Sequence, residues 1–180
     1  MEKFFEKTIT VPDGISVQVQ NNVVKLSVGG KEVQKKFSAS AIEIRGDKGT
    51  IRVVSKNGKR QTLATANTIA SHIMNLYSGL QKDFEYRLEV VYSHFPMGIL
   101  VKDGFVEIGN IAGAKMPKRA KIVGGAKVVV KGKDITVSAA NKEHAGQTAA
   151  NIEAATKSRG KDKRVFQDGI YIVSKAKHNK

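Results

Sequence analysis

The stretch VQNNVVKL, residues 19–26, returns 82 positions later as VKDGFVEI, residues 101–108. Each sets two short alternating strands around a two-residue turn, Asn21-Asn22 in one and Asp103-Gly104 in the other. Residues that tolerate positive φ at the centre of a two-residue loop mark a hairpin. GTIRVVS, from Gly49 to Ser55, matches KDITVSA in pattern and sets Ile51 over Ile135, an offset of 84. At that same offset ATANTIA, from Ala64 to Ala70, lies over TAANIEA, from Thr148 to Ala154. Ala66-Asn67 then falls on Ala150-Asn151. Three matches in one order at nearly one offset indicate an internal duplication. Each half reads as hairpin, basic loop, second hairpin and helix.

Leu63, Ala66, Ile69, Ala70, Ile73, Leu76 and Tyr77 recur at i, i+3, i+4 spacing, which predicts a helix with one apolar stripe. Ser78-Gly79 is expected to end it, with Gly79 in a left-handed cap. A second, alanine-rich helix is predicted over about Gly146 to Thr156, its small residues suited to close approach to a sheet. Leu88, Val90 and Tyr92 share one face of a strand that opens the second half. The expected fold class is α+β: two tandem similar domains, each a small antiparallel sheet packed against one helix. The expected boundaries are 1–82 and 83–180.

A chain of 180 residues with 41% apolar side chains can bury a core. The absence of cysteine excludes a disulfide framework, a thiolate zinc site and a cysteine nucleophile. It fits a reducing compartment. MEKFFEK is mixed in charge and does not read as a signal peptide. No run approaches the roughly 18 apolar residues of a membrane span. A soluble, intracellular protein is expected.

Charge is the largest signal. Thirty-one Lys and Arg oppose 16 Asp and Glu, a net +15. Solubility alone is served by about 2–8 charges on a small domain. The excess points to a polyanion, with nucleic acid ahead of an anionic membrane surface. A membrane surface calls for a basic amphipathic helix, and here the Lys and Arg lie largely on loops.

Residues 1–84 carry 13 basic and 7 acidic side chains, and residues 85–180 carry 18 and 9. Lys115, Lys118, Arg119, Lys121, Lys127, Lys131 and Lys133 span a stretch with no acidic residue. From Lys157 to Lys180 there are eight basic residues and two acidic ones. These two stretches are the expected electrostatic footprint. Arg forks onto phosphate oxygens and Lys acts as a point charge.

In KEHAGQTAANIEAAT, Gly146-Gln147-Thr148 reads as a helix opening, whose backbone N–H groups attract anions. Lys142 and His144 lie just upstream, and Gln147 can bond sugar or phosphate. Taken alone, an ordinary capped helix start accounts for the same residues. Met116-Pro117-Lys118-Arg119-Ala120 reads as a basic turn stiffened by Pro117. In YSHFPMG, residues 92–98, Tyr92 and Phe95 are expected in the core, with a base-stacking platform as the alternative.

Nothing nominates a catalytic group. His72, His94, His144 and His178 fall at no metal-ligand spacing. No Walker loop, no nucleophile elbow and no acidic metal cluster is present. Asp13, Asp103 and Asp168 each precede Gly, which turn formation explains. No cofactor, metal or small-molecule substrate is expected.

VVYSHFPMG, MPKRAKIVG, KEHAGQTAANIEAAT and RVFQDGIYI resemble the large-subunit ribosomal protein family "L six" (the universal uL-six family), in its archaeal and eukaryotic form. The resemblance spans nearly the whole chain and is densest from Val90 to Lys175. It implies two similar α+β domains from a duplication and a structural ribosomal component without catalytic activity, in the cytoplasm. It also implies binding of large-subunit ribosomal RNA, mainly by the C-terminal domain. The implied location is near the base of the factor-binding stalk, among neighbouring ribosomal proteins, by the RNA loop that translation GTPases contact.

The implied RNA contacts are Lys142, Gly146, Gln147, Lys157, Arg159, Lys161, Lys163 and Arg164, with Lys118 and Arg119. His144 and Lys175 join them by position. In SRGKDKRVFQDGIY, residues 158–171, Phe166 and Tyr171 are expected to anchor the cationic run to the sheet, with Asp168-Gly169 turning between them. The alternatives are a free RNA-binding or RNA-chaperone protein and, behind it, an RNA-processing enzyme.

Overall fold

In a computed structural model of the chain, the residues described are 5–11, 14–20, 22–47, 49–91, 94–158, 160–162 and 164–176. The readings placed on Asp13, Asn21, Tyr92, Arg159, Lys163 and His178 fall outside them. The chain divides into two compact units between Lys82 and Asp83.

The first unit contains β1 (Phe5–Thr10), β2 (Ser16–Gln20), β3 (Val23–Val28), β4 (Lys31–Lys36), β5 (Ile42–Asp47), β6 (Thr50–Ser55) and α1 (Arg60–Gln81). The strands form two antiparallel sheets, ordered β1-β6-β5 and β2-β3-β4. α1 lies against strands of both. Alternation sets the buried face: Val24 and Leu26 of β3 and Ile51 and Val53 of β6 are fully buried. From α1 come Ala66, Ile69, Ala70, Ile73 and Leu76, the stripe its spacing predicted.

α1 runs past the expected stop at Gly79. Gly79 and Leu80 are buried inside it, and Lys82, the residue after its end, is extended (φ −147°). Leu80 falls four residues after Leu76 and continues the apolar stripe. Its burial outweighs the poor helix propensity of one glycine.

The second unit contains β7 (Phe84–Val91), β8 (Gly98–Lys102), β9 (Phe105–Gly109), β10 (Lys118–Lys121), β11 (Lys127–Lys131), β12 (Asp134–Ala139), α2 (Lys142–Thr156) and β13 (Gly169–Ser174). Its sheets are β10-β9-β8 and β11-β12-β7-β13. The plan of the first unit is repeated strand for strand. Val19 faces Val24 as Val101 faces Val106. Ile44 faces Val53 as Val128 faces Val137. The hairpin turns use positive φ at Asn22 (62°) and Gly104 (83°). β13 has no counterpart among the described residues of the first unit.

The fold class is the one expected, with two differences in detail. Each unit builds two small sheets rather than one. The helix match ATANTIA over TAANIEA is also out of register. Ala66, Ile69, Ala70 and Ile73 are buried in α1, and Ala145, Thr148, Ala149 and Ile152 in α2. The buried positions of the two helices thus coincide at an offset of 79, not 84. α1 has 22 residues and α2 has 15. α1 runs six residues before its first buried position, Ala66, and α2 three before Ala145, so like letters do not occupy like places.

The core of the second unit joins Leu88 and Val90 of β7, Val106 and Ile108 of β9, Ile135 and Val137 of β12, and Ile152 of α2.

Candidate nucleic-acid interface

α2 begins earlier than its alanine run suggests. Asn141 is its N-cap, its side-chain oxygen accepting from the Glu143 N–H at 2.9 Å. An Asn cap satisfies a backbone donor that the helix leaves unpaired. Gly146 is thus an interior helical residue, and Gly146-Gln147-Thr148 is not a helix opening. Those N–H groups are not open to an anion, because they serve the helix itself. Gly146 has a packing reason instead: a Cβ there would lie 3.0 Å from the Tyr86 hydroxyl oxygen. Burial pushes the Tyr86 phenol pKa up.

His144 and Lys142 sit on the first turn. The Lys142 ammonium is 5.6 Å from the centre of the Phe84 ring, within cation–π range. The His144 ring lies on Gly124, where an added Cβ would be 2.0 Å from Nδ1. Gln147 is exposed and donates to Asn151 Oδ1 at 2.9 Å.

Four side chains of α2 then tie down two neighbouring segments. Thr148 Oγ1 accepts from the Val123 N–H at 3.0 Å, and Asn151 Nδ2 donates to the Lys121 carbonyl at 2.9 Å. Glu153 Oε1 accepts from the Ile172 N–H at 3.1 Å, and Thr156 Oγ1 from the Ile170 N–H at 3.0 Å. One pair holds the chain after β10, and the other holds β13. These are the middle of the first basic stretch and the anchor of the second. Sequence reading missed all four, since short polar residues in an alanine-rich helix carry no periodic signal.

On the first stretch Lys115, Lys118, Arg119, Lys121, Lys127, Lys131 and Lys133 are all exposed. Arg119 is engaged within the unit: its Nε lies 3.4 Å from Glu107 Oε1 and its guanidinium 5.0 Å from the Phe105 ring centre. Lys102 bonds the same carboxylate. The Lys102 ammonium, and after it Arg119, hold the Glu107 carboxyl below the usual range against the opposing effect of desolvation.

On the second stretch Lys157, Lys161, Arg164 and Lys175 are exposed. Asp162 folds the run, its carboxylate accepting from the Arg164 N–H at 2.9 Å and its carbonyl from the Phe166 N–H at 2.8 Å. The Lys161 ammonium sits 4.0 Å from the Phe166 ring centre. Phe166 is half-buried and stacks on His94, centroids 4.9 Å apart and planes 13° from parallel.

His94 Nδ1 donates to Asp168 Oδ1 at 3.2 Å, across 74 positions of sequence. Asp168 is buried. It is a core carboxylate held by a histidine rather than a simple turn residue. Gly169 begins β13 and is not among the glycines with positive φ.

Two aromatics depart from expectation. Phe95 is 43% exposed and lies over Gly113 rather than in the core. Tyr171 is 42% exposed, so β13 is anchored by buried Ile170, not by Tyr171. Tyr171 instead folds its ring over Gly169 and donates its hydroxyl to the Gln167 carbonyl at 3.1 Å. Strand alternation explains Tyr171: Ile170 faces inward, so Tyr171 must face out, whereas Phe95 lies in the loop between β7 and β8.

Among the described residues no cluster of His, Asp or Glu could hold a metal ion, and no helix is long and apolar enough to cross a membrane.

The duplicated α+β units, with exposed Lys and Arg on segments whose backbone α2 ties down, define a basic two-unit α+β protein. Residues 95–169 match the family described as Ribosomal protein L6. The large ribosomal subunit protein uL6 of Methanobrevibacter smithii is 41% identical over 167 residues, 93% of this chain and 94% of its own. That of Methanococcus vannielii is 43% identical over 168 residues, 93% and 92% of the two chains. That of Methanosarcina mazei is 42% identical over 176 residues, 98% and 100%. The chain belongs to the uL6 family of large-subunit ribosomal proteins. It is by that membership a structural constituent of a cytoplasmic ribonucleoprotein that carries out translation.

Proposed function

We propose that the second unit binds large-subunit ribosomal RNA and thereby holds the chain in the subunit. Its place is near the base of the factor-binding stalk, beside other ribosomal proteins and close to the RNA loop that translation GTPases contact. The contacts fall on Lys118, Arg119, Lys142, His144 and Gln147, and on the run from Lys157 to Arg164 with Lys175. Gly146 serves by letting α2 approach Tyr86 rather than by touching RNA. The role is structural, not catalytic.

One observation carries this reading. α2 ties the middle of one basic stretch and the strand that follows the other, by the four side-chain bonds of Thr148, Asn151, Glu153 and Thr156. Basic side chains on fixed supports lose less conformational entropy on binding than those on a free arm. A chaperone that must release RNA gains nothing from such rigidity.

The test is affinity for large-subunit RNA as a function of salt, measured on the whole chain. Each duplex phosphate contact contributes about 0.9 to the log–log slope. Replacing Lys157, Lys161 and Arg164 with Ala together should lower the slope by about 2–3. Phe166→Ala should keep the slope, since every charge remains, yet weaken binding. A triple variant with unchanged slope, or tight binding that survives equally to bulk RNA, would remove the basis of the proposal.

A further inference from the structure

Between the C-terminal half of α2 and β13 lies a groove of about 300 Å³. Ala150 and Ala154 line it on the helix side, and Phe166 and Tyr171 present rings to it. Both rings are held before any ligand arrives, Tyr171 by its bond to the Gln167 carbonyl and Phe166 by His94. Glu153 and Lys157 complete the lining.

The polar character of the groove is one-sided. α2 ends at Thr156, and its last carbonyls are partly taken: that of Glu153 accepts from Thr156 Oγ1 at 3.0 Å and that of Ala154 from the Lys157 N–H at 3.4 Å. Glu153 uses Oε1 to hold the Ile172 N–H, and its other oxygen takes no hydrogen bond among the described residues. The lining therefore offers a carboxylate acceptor. The surroundings are cationic, with Lys157 on the lining and Lys161 on the Phe166 ring. An aromatic slot with a carboxylate on its lining and cations around it complements a flat ring that donates hydrogen bonds and is joined to phosphates.

We infer that this groove takes one unpaired nucleobase carrying an exocyclic amine, adenine, cytosine or guanine, from the RNA that the second unit binds. The inference rests on the RNA-binding reading above. The base stacks on Tyr171 and turns its amine toward the Glu153 carboxylate, while its phosphates meet Lys157 and Lys161. Uracil has a carbonyl where cytosine has that amine and keeps only its ring N3–H as a donor, so it meets the carboxylate less well. Stacking tolerates any base, so discrimination comes from the amine and affinity from the ring.

The experiment uses the full chain with pentauridylate and four variants of it, whose central nucleotide is adenosine, cytidine, guanosine or an abasic ribose. Binding is followed by backbone amide shifts, in parallel with the salt slope on large-subunit RNA. The adenosine, cytidine and guanosine oligomers should bind more tightly than pentauridylate, and about tenfold more tightly than the abasic oligomer, a factor typical of losing one stacked base. The shifts should centre on Ala150, Ala154 and Tyr171. Tyr171→Ala should abolish the preference, and so should Ala154→Leu, which fills the groove from an exposed helical position. Neither should change the salt slope. Equal affinity for all five oligomers with a normal salt slope overturns the groove alone, as does a preference that survives Ala154→Leu. Failure of the unaltered chain to bind large-subunit RNA overturns the RNA-binding reading and the groove with it.

Discussion

Gly124→Ala probes how the first basic stretch is seated on α2. Gly124 has φ +60°, and a Cβ there would lie 2.0 Å from His144 Nδ1 and 2.4 Å from Cγ and Cε1. No such contact can persist, so the imidazole must swing away. Two costs follow. Alanine in the left-handed region costs about 1–2 kcal/mol, and forcing a packed ring aside costs about 1–3 kcal/mol more. Together they destabilise the second unit by roughly 2–5 kcal/mol. The two costs separate in a cycle with His144→Ala. In that background the ring is gone, and only the backbone cost of about 1–2 kcal/mol remains. The assay is native-state amide exchange at Ile135 and Ile152, core residues whose protection reports opening of the second unit alone. Equal cost of Gly124→Ala in both backgrounds would refute the reasoning, for it would mean that the ring is not what the new methyl meets.

Thr156→Val keeps the shape of a buried side chain but removes the acceptor of the Ile170 N–H. It should cost about 1–3 kcal/mol and speed exchange of the Ile170 amide, while Thr156→Ser should cost less. Glu107 predicts a pH dependence. Its folded carboxyl is held below its usual range, chiefly by Lys102, so the unfolded chain binds more protons as pH falls through the carboxylate range. The stability it contributes is present above the unfolded value and lost below the folded one. Denaturation of the parent and Glu107→Gln should therefore differ near pH 7, with the difference shrinking as pH falls through the carboxylate range. A difference that stays constant over that fall would count against the pairing.

Much of the fold could be read because its signals are local. The turns at Asn22 and Gly104 need residues that accept positive φ, and the stripe of α1 is written in large apolar residues at helical spacing. α2 hid its start for the opposite reason. It is made of Ala, Thr and Gly, whose contrast between faces is small, and the Asn141 cap outranked the apparent opening at Gly146. Strand pairing was legible within hairpins and not beyond them, because the partner of an outer strand is a long-range choice. Hence two sheets per unit went unseen. The site followed the same rule. Basic runs show in composition, whereas the pairing of His94 with Asp168 joins residues 74 positions apart. Tyr171 and Phe95 were misplaced because aromaticity predicts burial on average, while strand parity and loop geometry decide it in each case.

The corrected helix register shows what the duplication left different. At an offset of 79, Thr148 of α2 stands where α1 has Ile69, Asn151 where it has His72, Glu153 where it has Met74, and Thr156 where it has Tyr77. Every polar tie of α2 thus occupies a place filled otherwise in α1. Ile69 is buried among apolar neighbours, whereas Thr148 is equally buried and spends its hydroxyl on a loop amide. Exchanging apolar contact for a side-chain bond to backbone gains little net stability, since such a bond is worth about 1 kcal/mol. It gains position, because a hydrogen bond fixes direction as dispersion does not. The unit with those bonds is also the one with β13, the denser basic stretches and the larger charge excess. Two copies of one fold have come to use the same helix differently: one to close a core, the other to close a core and hold its charged segments in place.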